Sequence, residues 1–109
     1  MKTLLIALTG LAALTSAALA GPGDFGNDVS SPQAGVLCDG AGQWCADATG
    51  VSVSWTEHIF GAAAAGRLVG AAPTQFGFAN QVTCDLDTQT CSGGGGTAAE
   101  LMTRALFGQ

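Results

Sequence analysis

The chain has 109 residues, eight carboxylates, three lysine or arginine side chains and four cysteines. Only Lys2, Arg67 and Arg104 are cationic, so the chain is acidic, and a surface of that sign repels phosphate backbones and anionic lipid headgroups. A nucleic-acid partner and a polybasic membrane contact are thereby disfavoured.

The first twenty residues read as an export signal. Met1-Lys2 forms a short positive head, Leu4 to Leu14 an apolar stretch broken only by Thr9 and Gly10, and Ala18-Leu19-Ala20 a small-residue cleavage site. Cleavage is expected between Ala20 and Gly21. The apolar run is too short for a permanent transmembrane helix, and Gly21 lacks the thiol that lipoprotein anchoring needs. Processing leaves 89 residues, enough for one small domain, in which two arginines face eight carboxylates for a net charge of −6. Four cysteines in such an exported chain predict two disulfides. A zinc site is the competing use; it needs four ligands, only His58 could join the cysteines, and in an oxidising compartment disulfides are the expected use.

Residues 21–33 are rich in Gly, Pro, Asp, Asn and Ser with no apolar period, and read as a flexible leader. A stapled domain is expected over 34–92. Its first hairpin pairs Gly35–Asp39 with Gln43–Asp47 around a turn at Gly40-Ala41-Gly42. A helix follows, opened by the capping box Ser54-Trp55-Thr56-Glu57. Trp55, Ile59 and Ala62/Ala63 form its apolar stripe, and Gly61 and Gly66 break or bend it before Pro73. Thr74–Phe78, Gln81–Asp85 and Thr88–Cys91 alternate as strands. Four glycines at 93–96 read as a hinge, and residues 97–109 as a C-terminal helix. The capping box Thr97-Ala98-Ala99-Glu100 opens that helix, and Leu101, Met102, Ala105, Leu106 and Phe107 line its apolar face, suited to docking on the domain. Together these elements predict a small α+β fold: disulfide-stapled antiparallel hairpins, one broken helix and a C-terminal amphipathic helix.

The motif Cys-Asp-x5-Cys occurs twice, at Cys38/Cys45 and at Cys84/Cys91. A four-residue hairpin loop puts each pair in a non-hydrogen-bonded register, where side chains approach best. That favours Cys38–Cys45 with Cys84–Cys91. Chain entropy does not insist on it: an eight-residue loop contributes about 2.5 kcal/mol and a Cys38–Cys84 crosslink about 4 kcal/mol. All three connectivities of four cysteines stay open on that ground.

Ser31-Pro32-Gln33-Ala34-Gly35-Val36-Leu37-Cys38-Asp39, then Cys45-Ala46-Asp47, Gly50, and Thr56-Glu57 before Gly61 resemble the YcgJ family, also called Fels prophage protein-like. Phe76-Gly77-Phe78-Ala79-Asn80, Cys84-Asp85 and Cys91 continue the resemblance in the same order, so that it covers Ser31 to Cys91. It implies a small, exported, cysteine-paired protein and implies no activity. The glycine run and the C-terminal segment lie outside it.

No residue constellation marks catalysis, and no cofactor signature is present. His58 is the only imidazole; its neighbour Glu57 points about 100° away on a helix, so the two would not share a proton path. Asp85-x-Asp87-x-Gln89 opens like a calcium loop, but Thr90 and Gly96 occupy the positions that need Gly and Glu. A looser cluster of Asp39, Asp47, Asp85 and Asp87 at the hairpin tips is the remaining metal candidate. Gly61 to Gly66 has phosphate-loop spacing, yet Arg67-Leu68 follows where Lys and Ser or Thr belong. Trp44, Trp55, Phe76 and Phe78 read as core. The expectation is a non-enzymatic periplasmic or secreted accessory protein that binds an unknown protein or envelope component. An enzyme using His58, and a structural module self-associating through the tail helix, are the alternatives.

Overall fold

The computed structural model describes residues 23–108; the expected signal peptide and the expected Ala20/Gly21 cleavage site lie outside them. The fold is α+β, with two antiparallel sheets and three helices among the described residues. The first sheet has five strands in chain order: β1 (Gly23–Asp24), β2 (Val29–Ser31), β3 (Val36–Asp39), β4 (Trp44–Asp47) and β5 (Gly50–Ser52). Helices α1 (Val53–Phe60) and α2 (Ala62–Gly66) follow. The second sheet contains β6 (Gln75–Gly77), β7 (Val82–Asp85) and β8 (Thr90–Gly93), and α3 (Ala98–Phe107) closes the chain. None of the described helices is long and apolar enough to cross a membrane.

Both cysteine pairs close locally, Cys38–Cys45 and Cys84–Cys91, with Cα–Cα separations of 4.0 and 3.9 Å, and no cysteine is free. Such crosslinks are consistent with an oxidising compartment. The second cysteine of each pair points its backbone N–H away from its disulfide partner's strand. Cys45 donates to Thr56 Oγ1 on α1 and Cys91 to Thr103 Oγ1 on α3, each at 2.8 Å.

The likeness of the two halves runs deeper than the cysteine motif. The register Val36↔Asp47, Leu37↔Ala46, Cys38↔Cys45, Asp39↔Trp44 recurs 46 residues later as Val82↔Gly93, Thr83↔Ser92, Cys84↔Cys91, Asp85↔Thr90. The preceding strand repeats at the same offset: Val29↔Asp39 and Ser30↔Cys38 become Gln75↔Asp85 and Phe76↔Cys84. Positive φ angles recur too, at Gly35 and Gln81 before the hairpin and at Gln43 and Gln89 closing its loop. The chain is therefore two meander-plus-helix units in tandem. The first is extended by β1 and β5, the second by a longer helix.

One apolar core joins the units. Val29, Leu37, Phe76, Val82, Met102 and Leu106 are buried in it, and Trp44 packs against Phe76 and Phe78 with ring centroids 5.9 and 4.7 Å apart. Helix α3 buries Met102, Ala105 and Leu106, so the apolar face of the tail is occupied by the protein's own core. Ala105 O also accepts the Gly35 N–H at 2.7 Å. A smaller cluster of Val36, Cys38 and Cys45 lies under Trp55 and Phe60 of α1.

Several local expectations are corrected. The leader over 21–33 contributes β1 and β2, and Val29 is fully buried, because pairing with β3 satisfies backbone groups that this polar stretch could not satisfy alone. The N-cap of α1 is Ser52, whose Oγ accepts the Trp55 N–H at 3.1 Å, and Ser54 and Glu57 form no capping box. Starting at Val53 turns Thr56 into the core and leaves Ile59, Ala62 and Ala63 exposed, while Ala64 and Ala65 are buried. The expected break falls at Gly61, whose φ of 98° only glycine adopts readily. Thr97 makes no side-chain cap on α3; Glu100 pairs with Arg104 instead, at 3.1 Å. The hinge at 93–96 is a tight connection: Gly93 ends β8, and a Cβ on Gly94 would meet Val82 Cγ2 at 2.7 Å.

Candidate functional site

The carboxylates Asp39, Asp47, Asp85 and Asp87, weighed as a loose metal cluster, form no such cluster among the described residues. Asp39 is buried; its Oδ1 accepts the Gly42 N–H at 3.1 Å and its Oδ2 the Ala79 N–H at 2.9 Å, tying the first hairpin to the second unit. Asp47 Oδ1 accepts the Thr49 N–H and hydroxyl. Asp85 accepts from Gln75 Nε2 at 2.9 Å and from the Asp87 and Thr88 N–H groups. The Gln75 amide first, and then the backbone N–H of Asp87, hold the Asp85 carboxyl below its ordinary value. Among the described residues no three His, Cys, Asp or Glu side chains converge on a metal-sized space. Asp39 and Asp47 lie on the first sheet and Asp85 on the second, and each is engaged by N–H groups of its own surroundings.

His58 lies exposed on α1 with its ring edge-on to Trp55, centroids 5.7 Å apart, in a shallow depression shared with Ser54. It makes no hydrogen bond to a carboxylate or hydroxyl among the described residues. The Gly61–Gly66 stretch is a helix break followed by α2, and forms no phosphate-binding loop.

The more developed concave feature lies where sequence reading placed a flexible leader. A cleft of about 450 Å³ opens between the β1–β2 turn and the end of α1. Its apolar lining comes from Ile59, 41% exposed, Phe60 and Pro32. Asp24, Asn27 and Asp28 supply polar lining, and Cys38 of the first disulfide lines it as well. No lysine or arginine lines it. A second depression, about 570 Å³, lies across the same turn against Asn80, Gly94, Gly95 and Leu101, so residues 24–27 form a partition between two clefts.

The partition is held on both sides. Phe25 and Val29 close the turn by backbone bonds, with Asn27 and Asp28 at φ of 53° and 67°, a left-handed conformation that Asn and Asp tolerate better than most residues. Asn27 Nδ2 donates to Ala79 O at 3.2 Å, and Asn80 Nδ2 returns to Phe25 O at 3.1 Å. Gly40 donates to Asp28 O at 2.8 Å. A Cβ on Gly40 would stand 3.1 Å from Asp28 Cβ, so glycine is what lets these two turns lie back to back. The β-hairpin at 23–31 has no apolar alternation to announce it; its sequence signal is Phe25 and Val29 among glycines and polar residues.

A family model described as YcgJ protein matches residues 29–107. The match covers most of the chain and includes the glycine run and α3, which the sequence resemblance had left outside. Searches of curated proteins and of solved structures each found no match. The chain belongs to the YcgJ family.

Proposed function

Starting from membership of that family, we propose that the protein is an exported, non-enzymatic binding or accessory protein of the cell envelope, working after residues 1–20 are removed. The observation that carries this reading is the complete use of cysteine in disulfides, Cys38–Cys45 and Cys84–Cys91, in a chain headed by a signal-like segment. The small core spread over two sheets is of the kind that crosslinks stabilise in oxidising surroundings. The rigid cleft beside α1 supports binding as the activity, since a ligand meets a wall already ordered by the disulfide.

Mass analysis of the protein recovered from its native host tests this. The mature form is expected in the periplasm or the medium, to begin at Gly21, and to take up no alkylating reagent before reduction. A chain recovered from the cytosol with residue 1 and with accessible thiols overturns the proposal.

A further inference from the structure

We infer that the cleft between the β1–β2 turn and the end of α1 is a docking surface for a basic, apolar segment of a partner protein. In this arrangement an aliphatic or aromatic side chain of the partner lies on Ile59 and Phe60, and a neighbouring lysine or arginine faces Asp24 and Asp28. The inference deepens the reading of an exported binding protein and rests on it.

Three observations point to this occupant. The first is apolar surface left uncovered: Val53, Ile59 and Val69 are the large apolar side chains exposed among the described residues, and Ile59 lines the cleft. Its wall is stiff. Phe60 rests on the Cys38–Cys45 crosslink, and the Thr56 hydroxyl bonded to the Cys45 N–H fixes the helix against β4. A stiff apolar wall loses little freedom when a partner covers it.

The second observation is charge. Asp24 uses one oxygen to accept the Gly26 N–H at 3.0 Å, and the Asp28 carboxylate accepts no hydrogen bond among the described residues. Neither forms an ion pair; the pair formed among the described residues is Arg104 with Glu100. With no cation lining the cleft and a net charge of −6 on the mature chain, the complementary ligand is positive. Anionic ligands meet two carboxylates in the lining.

The third is size. A volume of about 450 Å³ holds one large side chain with its neighbours, and the apolar half of the lining leaves a purely polar cation unmatched. A peptide segment supplies both characters at the required spacing.

The test uses the mature, oxidised chain labelled with ¹⁵N. The probes are capped hexapeptides alternating lysine with leucine, glutamate with leucine, and lysine with serine, together with spermidine. The lysine–leucine peptide is expected to shift the amides of Asn27, Gly40 and Ile59 saturably, and to bind less tightly as salt rises. The double variant Asp24→Asn/Asp28→Asn should weaken it roughly fivefold or more, and Ile59→Ser about threefold or more. All these side chains are at the surface, so both variants should keep the dispersed spectrum of the parent. No saturable shift with the lysine–leucine peptide, equal binding of the glutamate–leucine peptide or of spermidine, or shifts confined to other surfaces overturns the inference. Affinity capture from an envelope extract separates the two claims. If both variants retain a partner as well as the parent does, the binding reading stands and this surface is wrong. A cytosolic, reduced protein refutes the wider reading whatever the peptides do.

Discussion

Replacing Asp39 by alanine removes a 3%-exposed carboxylate whose two oxygens serve different parts of the chain. The Gly42 N–H is at an exposed turn and regains water, so losing that bond costs about 0.5–1 kcal/mol. The Ala79 N–H is half-buried between the two units, and losing a charged acceptor there costs about 1.5–3 kcal/mol. Asp39→Ala is therefore expected to lower stability by about 2–4 kcal/mol. Asp39→Asn keeps one carbonyl oxygen but turns an amide donor toward one of the two N–H groups, and should fall between parent and alanine variant. The internal control is Asp85→Ala, at the equivalent position 46 residues on, where the carboxylate lies at the sheet surface. Urea unfolding of the oxidised protein, read as a change in midpoint at constant slope, measures the difference. Thermal unfolding should echo it at about 4–8 °C per kcal/mol. If Asp39→Ala costs under about 1 kcal/mol, or no more than Asp85→Ala, then the tie between the units contributes little and the reasoning fails.

Removing one crosslink by replacing both Cys38 and Cys45 with alanine should cost about 2.5 kcal/mol, the chain-entropy value for an eight-residue loop, and the Cys84/Cys91 pair should cost about the same. Unequal unfolding midpoints for the two double variants would argue against that account. Thr56→Val removes the acceptor of the Cys45 N–H while keeping side-chain shape, and is expected to cost about 1–3 kcal/mol in urea unfolding, with Thr103→Val destabilising through the matching bond to Cys91. The lowered Asp85 value makes its contribution to stability present above pH 3.8 and lost as pH falls through the folded-state value. Gln75→Leu, which removes the largest cause of that shift, should therefore flatten the loss of stability in acid, followed by unfolding midpoints between pH 2 and 6. An unchanged acid limb would assign it to other carboxylates.

Much of the fold follows from local chemistry and could be read along the chain. A four-residue loop inside Cys-Asp-x5-Cys dictates which strand positions face each other, so both disulfides follow from hairpin geometry. Gly61 breaks the helix because its backbone lacks a side chain, and the tail is helical because its apolar residues recur on one face. Other features resist such reading for equally physical reasons. Ser52 and Ser54 are comparable caps locally; the choice falls on Ser52 because only that start aims Thr56 at the Cys45 N–H. The tandem repeat is hidden beyond the cysteine motif because strand register repeats while the side chains at Ser30/Phe76 or Leu37/Thr83 do not.

The candidate cleft was the least legible part, since half of it comes from a polar stretch with no period of its own. The sequence by itself determined the cysteine pairing preferred by each hairpin, the acidic surface and the positions where helices stop, because these depend on neighbours a few residues apart. Only the tertiary structure decided which of two identical Cys-Asp corners would bury its carboxylate. It also held residues 23–31 in the sheet and brought Asp28 and Ile59 to one cleft, because the Asn27–Ala79 and Asp39–Ala79 bonds that fix this region reach across tens of residues.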